Sequence, residues 1–323
     1  MKAVVYMRYG PPEVLQLKDI EKPVPKPNEV LVKVHAATVN RTDNATVKAI
    51  PFFARLVTGL LKPKRTTPGT EFAGEVEAIG SAVTTLRVGD RVFGFDDQGS
   101  RAQAEYLAIR EDFAAVIPDD ISFEQAAASS EGAHYARNFI NKVNIKPGQT
   151  ILVYGASGAI GSAMVQLLKA INVKVTAVCG TRNTELVRSL GADRVIDYTR
   201  EEFTRDSQQY DYVFDAVGKI SFFQCRHLLH RDGAYVSSDL GYLAQNMYLP
   251  LVTSIIKPLL GGRRTIFPFP TDIPATLALV KKLMQEKRFR AVIDRRYPLD
   301  QVVDAYRYVE KGHKTGNVVI TVI

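Results

Sequence analysis

The sequence predicts an α/β protein, a doubly wound parallel sheet joined to a smaller β-rich domain, and three observations predict it. Between residues 150 and 178 a run of β-formers, a cluster of glycines, a helical stretch and a second apolar run follow one another, which is one βαβ unit. That alternation repeats through about residue 287, and repeated βα units make a parallel sheet covered by helices. Residues 1–118 instead carry short alternating runs broken by Gly and Pro, the texture of an antiparallel sheet.

Taken in order, Ala3 to Tyr9, Val30 to Val39, Gly74 to Ile79, Arg91 to Phe95 and Ala104 to Ile109 read as the strands of the first domain. The second opens with the strand Thr150 to Tyr154, the helix Ala159 to Ala170 and the strand Val173 to Val178. A helix at Thr184 to Leu190, strands at Arg194 to Ile196 and Tyr212 to Asp215, a helix at Phe222 to Leu229 and a strand at Gly233 to Ser237 continue the alternation. The strand Arg264 to Phe267 and the helix Pro274 to Lys287 close it. A strand near Val292, a helix from Leu299 to Lys311 set off by Pro298, and the apolar tail Asn317 to Ile323 remain, and the tail is expected to rejoin the first domain. The domains are thus 1–118 plus 288–323, and 119–287.

Composition narrows the class. With 323 residues, 46% hydrophobic and 24% charged, the chain buries a sizeable core and is long enough for two domains. Its longest apolar stretch, Met247 to Leu260, is interrupted by Pro250, Lys257 and Pro258 and falls short of the ~18–20 residues a bilayer crossing needs, so no integral membrane segment is expected. The first residues alternate like a strand and show no signal peptide, which points to the cytoplasm. Cys179 and Cys225 are the only cysteines, which excludes a disulfide framework and a four-cysteine zinc site. The net charge of +8 is scattered and meets no recognition motif, so nucleic acid is not an expected partner.

The run Tyr154-Gly155-Ala156-Ser157-Gly158-Ala159-Ile160-Gly161 stands where a strand turns into a helix. Free N–H groups and the positive end of a helix attract anions, and positions without side chains let a pyrophosphate approach closely. The flanking βαβ context makes this a dinucleotide site. Proteins that prefer NAD place an acid at the end of the second strand, on the ribose hydroxyls. Here the sequence is Val178-Cys179-Gly180-Thr181-Arg182-Asn183, and the Arg182 guanidinium suits a 2′-phosphate. NADPH is therefore the expected cofactor. Cys179 reads as a packed small residue.

With these residues in place, the chain resembles the medium-chain dehydrogenase/reductase superfamily, in its quinone oxidoreductase and enone reductase branch. The resemblance runs over nearly the whole chain: Met1-Lys2-Ala3-Val4-Val5, Pro27 to Val34, Asn40-Arg41-Thr42-Asp43, Pro68 to Val76, Val88 to Val92, the turn Gly155 to Gly161, Leu190 to Asp193, Asp215-Ala216-Val217-Gly218 and Gly316 to Val319. It implies a Rossmann domain and a GroES-like domain built from both chain ends. It also implies that Gly155, Ser157, Gly158, Ala159, Ile160 and Gly161 line the pyrophosphate, with Gly180, Thr181, Arg182 and Tyr198 at the adenosine phosphate. Val217, Gly218, Leu240 and Asn317 would surround the nicotinamide ribose and ring, and Asn40 and Tyr135 would lie near the nicotinamide as catalytic candidates.

Zinc-dependent alcohol dehydrogenases of that superfamily hold their metal with Cys and His. The first-ligand position resembles Asn40, and the Gly-His-Glu stretch has become Gly69-Thr70-Glu71, so neither thiolate nor imidazole is available there. No metal is expected, and His35 and His134 read as structural residues. Polarisation of a substrate carbonyl must then come from hydroxyl, amide or backbone donors, with Asn40 and Tyr135 as candidates. Asp43 reads as a helix cap or a turn residue. The expected activity is NADPH-dependent hydride transfer to quinones or to the C=C bond of α,β-unsaturated carbonyl compounds. The other readings are a zinc-independent alcohol or aldehyde oxidoreductase, and an NADPH-binding redox sensor without turnover. The apolar segment Gly241 to Gly262 is expected to pack on the substrate cleft or a second subunit, with contact to a membrane surface as the other reading, and pairing of the edge strand Arg264 to Phe267 across a two-fold axis would make a homodimer.

Overall fold

The computed structural model describes residues 1–52, 55–97, 101–241, 244–269 and 272–323. They divide into two compact units, Met1–Glu131 with Asp272–Ile323, and Gly132–Thr271. These junctions lie later and earlier, respectively, than the boundaries near 118 and 288 expected from sequence. The short helix Phe123–Ala127 packs on strands of the first unit, and the helix Ile273–Gln285 packs beside Ala114–Val116.

The strands in chain order are β1 (Lys2–Val5), β2 (Gln16–Asp19), β3 (Glu29–Val39), β4 (Glu71–Ile79), β5 (Arg91–Phe95), β6 (Tyr106–Arg110) and β7 (Ala114–Val116). The second unit then supplies β8 (Thr150–Tyr154), β9 (Lys174–Cys179), β10 (Arg194–Asp197), β11 (Tyr210–Asp215), β12 (Leu229–Ser237) and β13 (Arg264–Ile266). The chain returns to the first unit with β14 (Ile293–Pro298) and β15 (Asn317–Thr321).

In the first unit a seven-stranded sheet runs β14-β15-β3-β4-β5-β7, with β6 also paired to β3. All its pairings are antiparallel except β14 with β15. The expected strand Ala3 to Tyr9 stops at Val5, because the chain turns through Pro11 and Pro12 and returns as β2 beside β1. Val4, Val30, Val32, Val34, Phe72 and Tyr306 fill the core of this unit. The tail rejoins the first domain as expected: Val318 to Thr321 pair with Val39 to Ala36.

The second unit is a six-stranded sheet ordered β10-β9-β8-β11-β12-β13, parallel throughout. The order reverses between β8 and β11, the place where doubly wound sheets open a crevice at the strand ends. Leu152, Val178, Ile196, Val213 and Tyr235 make its core on one face. β13 lies at the sheet edge and is one residue shorter than expected, ending at Ile266. Within the apolar segment, the helix Gln245–Ile255 is turned outward: Met247, Tyr248, Leu251, Val252 and Ile255 are exposed while Asn246, Leu249 and Thr253 are buried. Residues 242 and 243 of that segment lie outside the described residues. Among the described residues no helix is long and apolar enough to cross a membrane.

Candidate active site

The glycine turn of the second unit is built by steric necessity. β8 ends at Tyr154, and Gly155 takes φ +80°, a conformation that L side chains rarely adopt. A Cβ on Gly155 would lie 2.0 Å from Val217 Cγ2, so its bareness also admits the Val217-Gly218 loop. Gly161, in the first turn of the helix Ala159–Ala170, would place a Cβ 2.1 Å from the Gly155 carbonyl oxygen, so only glycine lets the helix close on the turn. Gly158 differs: a Cβ there would meet only the Gly155 oxygen, at 3.5 Å, and otherwise open space.

Gly158 is also the N-cap of that helix, with no side-chain cap and no acidic residue in the first turn. The result is an uncapped helix N-terminus behind a bare, open glycine, which fits the pyrophosphate of a dinucleotide. Ser157, Ala159 and Ile160 are half-buried around it. The neighbouring loop is fixed by Asp215, whose Oδ1 accepts from the N–H groups of Val217 (3.0 Å) and Gly218 (2.8 Å). Burial pushes the Asp215 carboxyl above the usual range, while the Tyr235 hydroxyl (2.7 Å) and those backbone donors oppose the rise. Leu240 is half-buried on the next strand-end loop, its carbonyl accepting from Asn246 N–H at 3.0 Å.

At the end of β9, Gly180, Thr181 and Arg182 lead into a short 3-10 turn in which Thr181 and Arg182 are exposed. Tyr198 is 55% exposed, and its hydroxyl would stand 3.2 Å from a Cβ on Gly180. Sequence reading found no acid here, yet β10 brings one. Asp197 is in register with Cys179, accepts from Thr181 Oγ1 at 2.6 Å and from Thr199 Oγ1 at 2.7 Å, and lies 3.5 Å from Arg200 Nε. The Thr181 hydroxyl, then the Thr199 hydroxyl and backbone, hold the Asp197 carboxyl below the usual range. Cys179 is buried, and burial pushes its thiol up to about 11, which makes it a packing residue.

The first unit holds a buried polar network around Asn40. Asn40 ends β3's run and precedes the helix Arg41–Lys48, where its backbone N–H donates to Asp43 Oδ2 at 2.8 Å. Asp43 is therefore a cap. Glu71, fully buried at the start of β4, accepts from Thr38 Oγ1 (2.7 Å), Asn40 Nδ2 (2.8 Å), Ser130 N (3.0 Å) and Glu131 N (2.5 Å). Glu131 accepts from Thr42 Oγ1 (2.6 Å) and Thr70 Oγ1 (2.7 Å). Burial, reinforced by Glu131, pushes the Glu71 carboxyl up to about 8 against these donors, and burial likewise raises Asp43.

The Asn40 amide is wholly engaged. Its Nδ2 donates within the network, with Thr38 Oγ1 and Glu131 Oε2 each 3.3 Å away, and its Oδ1 accepts from Lys314 Nζ at 3.2 Å. Sequence reading missed Glu71's role, Glu131 and Lys314; the hydroxyls Thr38, Thr42 and Thr70 around two acids were the available signal. The donors at this position are amide, hydroxyl and carboxylate, which do not fit the Cys and His set of a catalytic zinc. Among the described residues no group of three or more His, Cys, Asp or Glu is arranged to hold a metal ion.

The remaining candidates fall as follows. Asn317, at the start of β15, is 2% exposed; its Nδ2 donates to the carbonyls of Ala128 (3.1 Å) and Val292 (3.2 Å), and its Oδ1 is buried with no partner among the described residues. An orphaned acceptor of this kind fits a ligand hydroxyl or amide. Tyr135 is half-buried on the helix Glu131–Lys142 of the second unit, edge-on to His134 with ring centroids 5.8 Å apart. His35 stacks on Phe123 at 4.2 Å.

Known proteins share this plan. Residues 26–119 match the description "Alcohol dehydrogenase GroES-like domain", and residues 190–320 match "Zinc-binding dehydrogenase". A quinone-oxidoreductase homolog from the chloroplast of Spinacia oleracea is 32% identical over 99% of this chain and 98% of its own. An NADPH-dependent alkenal/one oxidoreductase, chloroplastic, from Arabidopsis thaliana is also 32% identical, over 99% of this chain and 79% of its own. Among solved structures, the quinone oxidoreductase of Coxiella burnetii superposes with a TM-score of 0.87 at 29% identity, covering 100% of this chain and 99% of that one. The chain belongs to the medium-chain dehydrogenase/reductase superfamily, in the branch whose relatives are quinone and enone oxidoreductases.

Proposed function

We propose that the protein reduces quinones or the C=C bond of α,β-unsaturated carbonyl compounds with NADPH, without zinc. The observation that carries the reading is the turn at Gly155, Gly158 and Gly161: bare, open at Gly158 and backed by an uncapped helix. The names of full-length relatives supply the substrate class. The bound nucleotide would supply a hydride. The residues Gly155, Ser157, Gly158, Ala159, Ile160 and Gly161 are assigned to its pyrophosphate, and Gly180, Thr181, Arg182 and Tyr198 to the adenosine phosphate. Val217, Gly218, Leu240 and Asn317 are assigned to the nicotinamide ribose and ring, and Asn40 and Tyr135 to the catalytic end near the nicotinamide.

A homodimer is part of this reading, supported by the unpaired edge of β13 and the outward apolar face of the helix Gln245–Ile255. The two free, buried cysteines fit a reducing compartment such as the cytoplasm, although the two relatives described above carry "chloroplastic" in their names.

Two measurements test the proposal. Calorimetry on metal-stripped protein should detect NADPH binding. NADPH oxidation should then be followed with 2-alkenals, enones and naphthoquinones, and inactivity on all of them would reject the assignment.

A further inference from the structure

We propose that Lys314 is the acid of the substrate site, its ammonium polarising the substrate oxygen and giving the proton that completes the reduction. The proposal rests on the functional reading above, which brings a carbonyl or quinone to Asn40. It begins from a shortage of donors. The Asn40 amide has two protons, and Glu71 Oε2, Glu131 Oε2 and Thr38 Oγ1 compete for them. The hydroxyls of Thr38, Thr42 and Thr70 are likewise spent on Glu71 and Glu131. The network's neutral donors therefore point inward, at its own carboxylates. The Ser130 hydroxyl has no partner among the described residues, but it is fully buried and far too weak an acid to be the proton source.

Lys314 is different. Its Nζ donates to Asn40 Oδ1 at 3.2 Å and to the Gly316 carbonyl, which leaves the third ammonium proton without an acceptor among the described residues. The residue is half-buried, and its ammonium is held in the network by those two acceptors. Burial draws it down to about 8, with Arg41 adding to the pull, while Glu131, Glu71 and Asp294 favour the charged form. A lysine in that range is protonated at neutral pH and gives up its proton readily.

The chemistry balances. Hydride from the reduced nicotinamide adds to the electron-poor substrate carbon, and the displaced electron pair collects on the conjugated oxygen. The Nζ–H bond of Lys314 breaks as the O–H bond forms, giving an enol that tautomerises to the saturated carbonyl or, where a quinone ring carbon has taken the hydride, to the hydroquinone. The neutral amine then regains a proton from water.

The test compares wild type with Lys314→Met and Lys314→Arg, using NADPH and whichever enone or naphthoquinone the wild type reduces. Lys314→Met should lower kcat by about 10²–10³-fold, the scale of general acid catalysis, with NADPH affinity by calorimetry nearly unchanged. Lys314→Arg should restore KM but not kcat, because a guanidinium polarises without releasing its proton. The alkaline limb of the kcat–pH profile near 8 should vanish in Lys314→Arg; were Glu71 its source, that limb would persist. Competitive acylation of the nucleotide-free protein should find Lys314 half-reactive near pH 8, below the exposed lysines. Unchanged kcat in a folded Lys314→Met, or a retained limb in Lys314→Arg, would overturn the proposal alone. A wild type inactive on every substrate would overturn the functional reading and this proposal with it. If Lys314→Met does not fold, Lys314→Arg carries the test.

Discussion

Thr181 Oγ1 donates to Asp197 Oδ2 across 2.6 Å, tying the loop after β9 to the end of β10. The loop that carries Arg182 is thereby anchored by an acid from the adjacent strand, and Arg182 itself stays exposed. An exposed guanidinium on an anchored loop suits a phosphate ligand, since little conformational freedom is lost on binding.

Arg182→Ala should therefore weaken NADPH selectively. A hydrogen bond to a charged group contributes about 1.5–3 kcal/mol, so the NADPH Kd should rise by about 10–100-fold, while NADH, lacking the phosphate, should change little. Calorimetric titration with both nucleotides checks this, and equal losses would refute the assignment of Arg182.

The glycines of the turn separate two kinds of necessity. Gly161→Ala forces a Cβ to 2.1 Å from a backbone oxygen and should cost about 1–3 kcal/mol of stability, as overpacking does. Gly158→Ala meets nothing closer than 3.5 Å, so its melting temperature should stay near that of wild type while NADPH binding weakens. Thermal unfolding paired with calorimetry resolves the two.

Asn40→Ala should destabilise the protein by about 1–3 kcal/mol, because it strips a donor from Glu71 and an acceptor from Lys314 inside a buried network. Denaturant unfolding at pH 7 provides the comparison.

Acid should expose a further carboxylate. Burial alone would raise the Asp206 carboxyl, but the Tyr210 hydroxyl and the Arg194 guanidinium, 2.8 Å away, outweigh it and hold it below the usual range. A depressed carboxyl contributes stability that is present above its unfolded value of about 3.9 and is lost as pH falls through the folded value. Asp206→Asn should accordingly melt below wild type at pH 7, and the gap should narrow progressively as pH falls below the unfolded value of about 3.9. A gap that persists in acid would contradict this account.

Much of the fold was legible because its signals are local. The run Thr150 to Tyr154 and the helix Ala159 to Ala170 were read with the bounds the structure gives, since glycines bracket a change of period from two to 3.6. The helix Ile273–Gln285, expected in the second domain, packs beside Ala114–Val116 of the first unit, because alternation says that a helix follows a strand and not what it packs against. The glycine turn was likewise readable from backbone geometry. The network of Glu71, Glu131 and Lys314 was not: these residues are far apart in sequence, and a buried charge leaves no local pattern until its partners are assembled. Asp197 escaped for a related reason, since it reaches the β9 loop from the next strand over.

β15 pairs with β14 on one side and with β3 on the other, so residues from the two extremes of the chain share one sheet. During synthesis the second unit, which is contiguous, has emerged whole while the first still lacks a central strand. The unit begun before the other on the ribosome is thus completed after it, and the Ala36–Val39 end of its apolar β3 must wait, open on one side, until translation reaches residue 321.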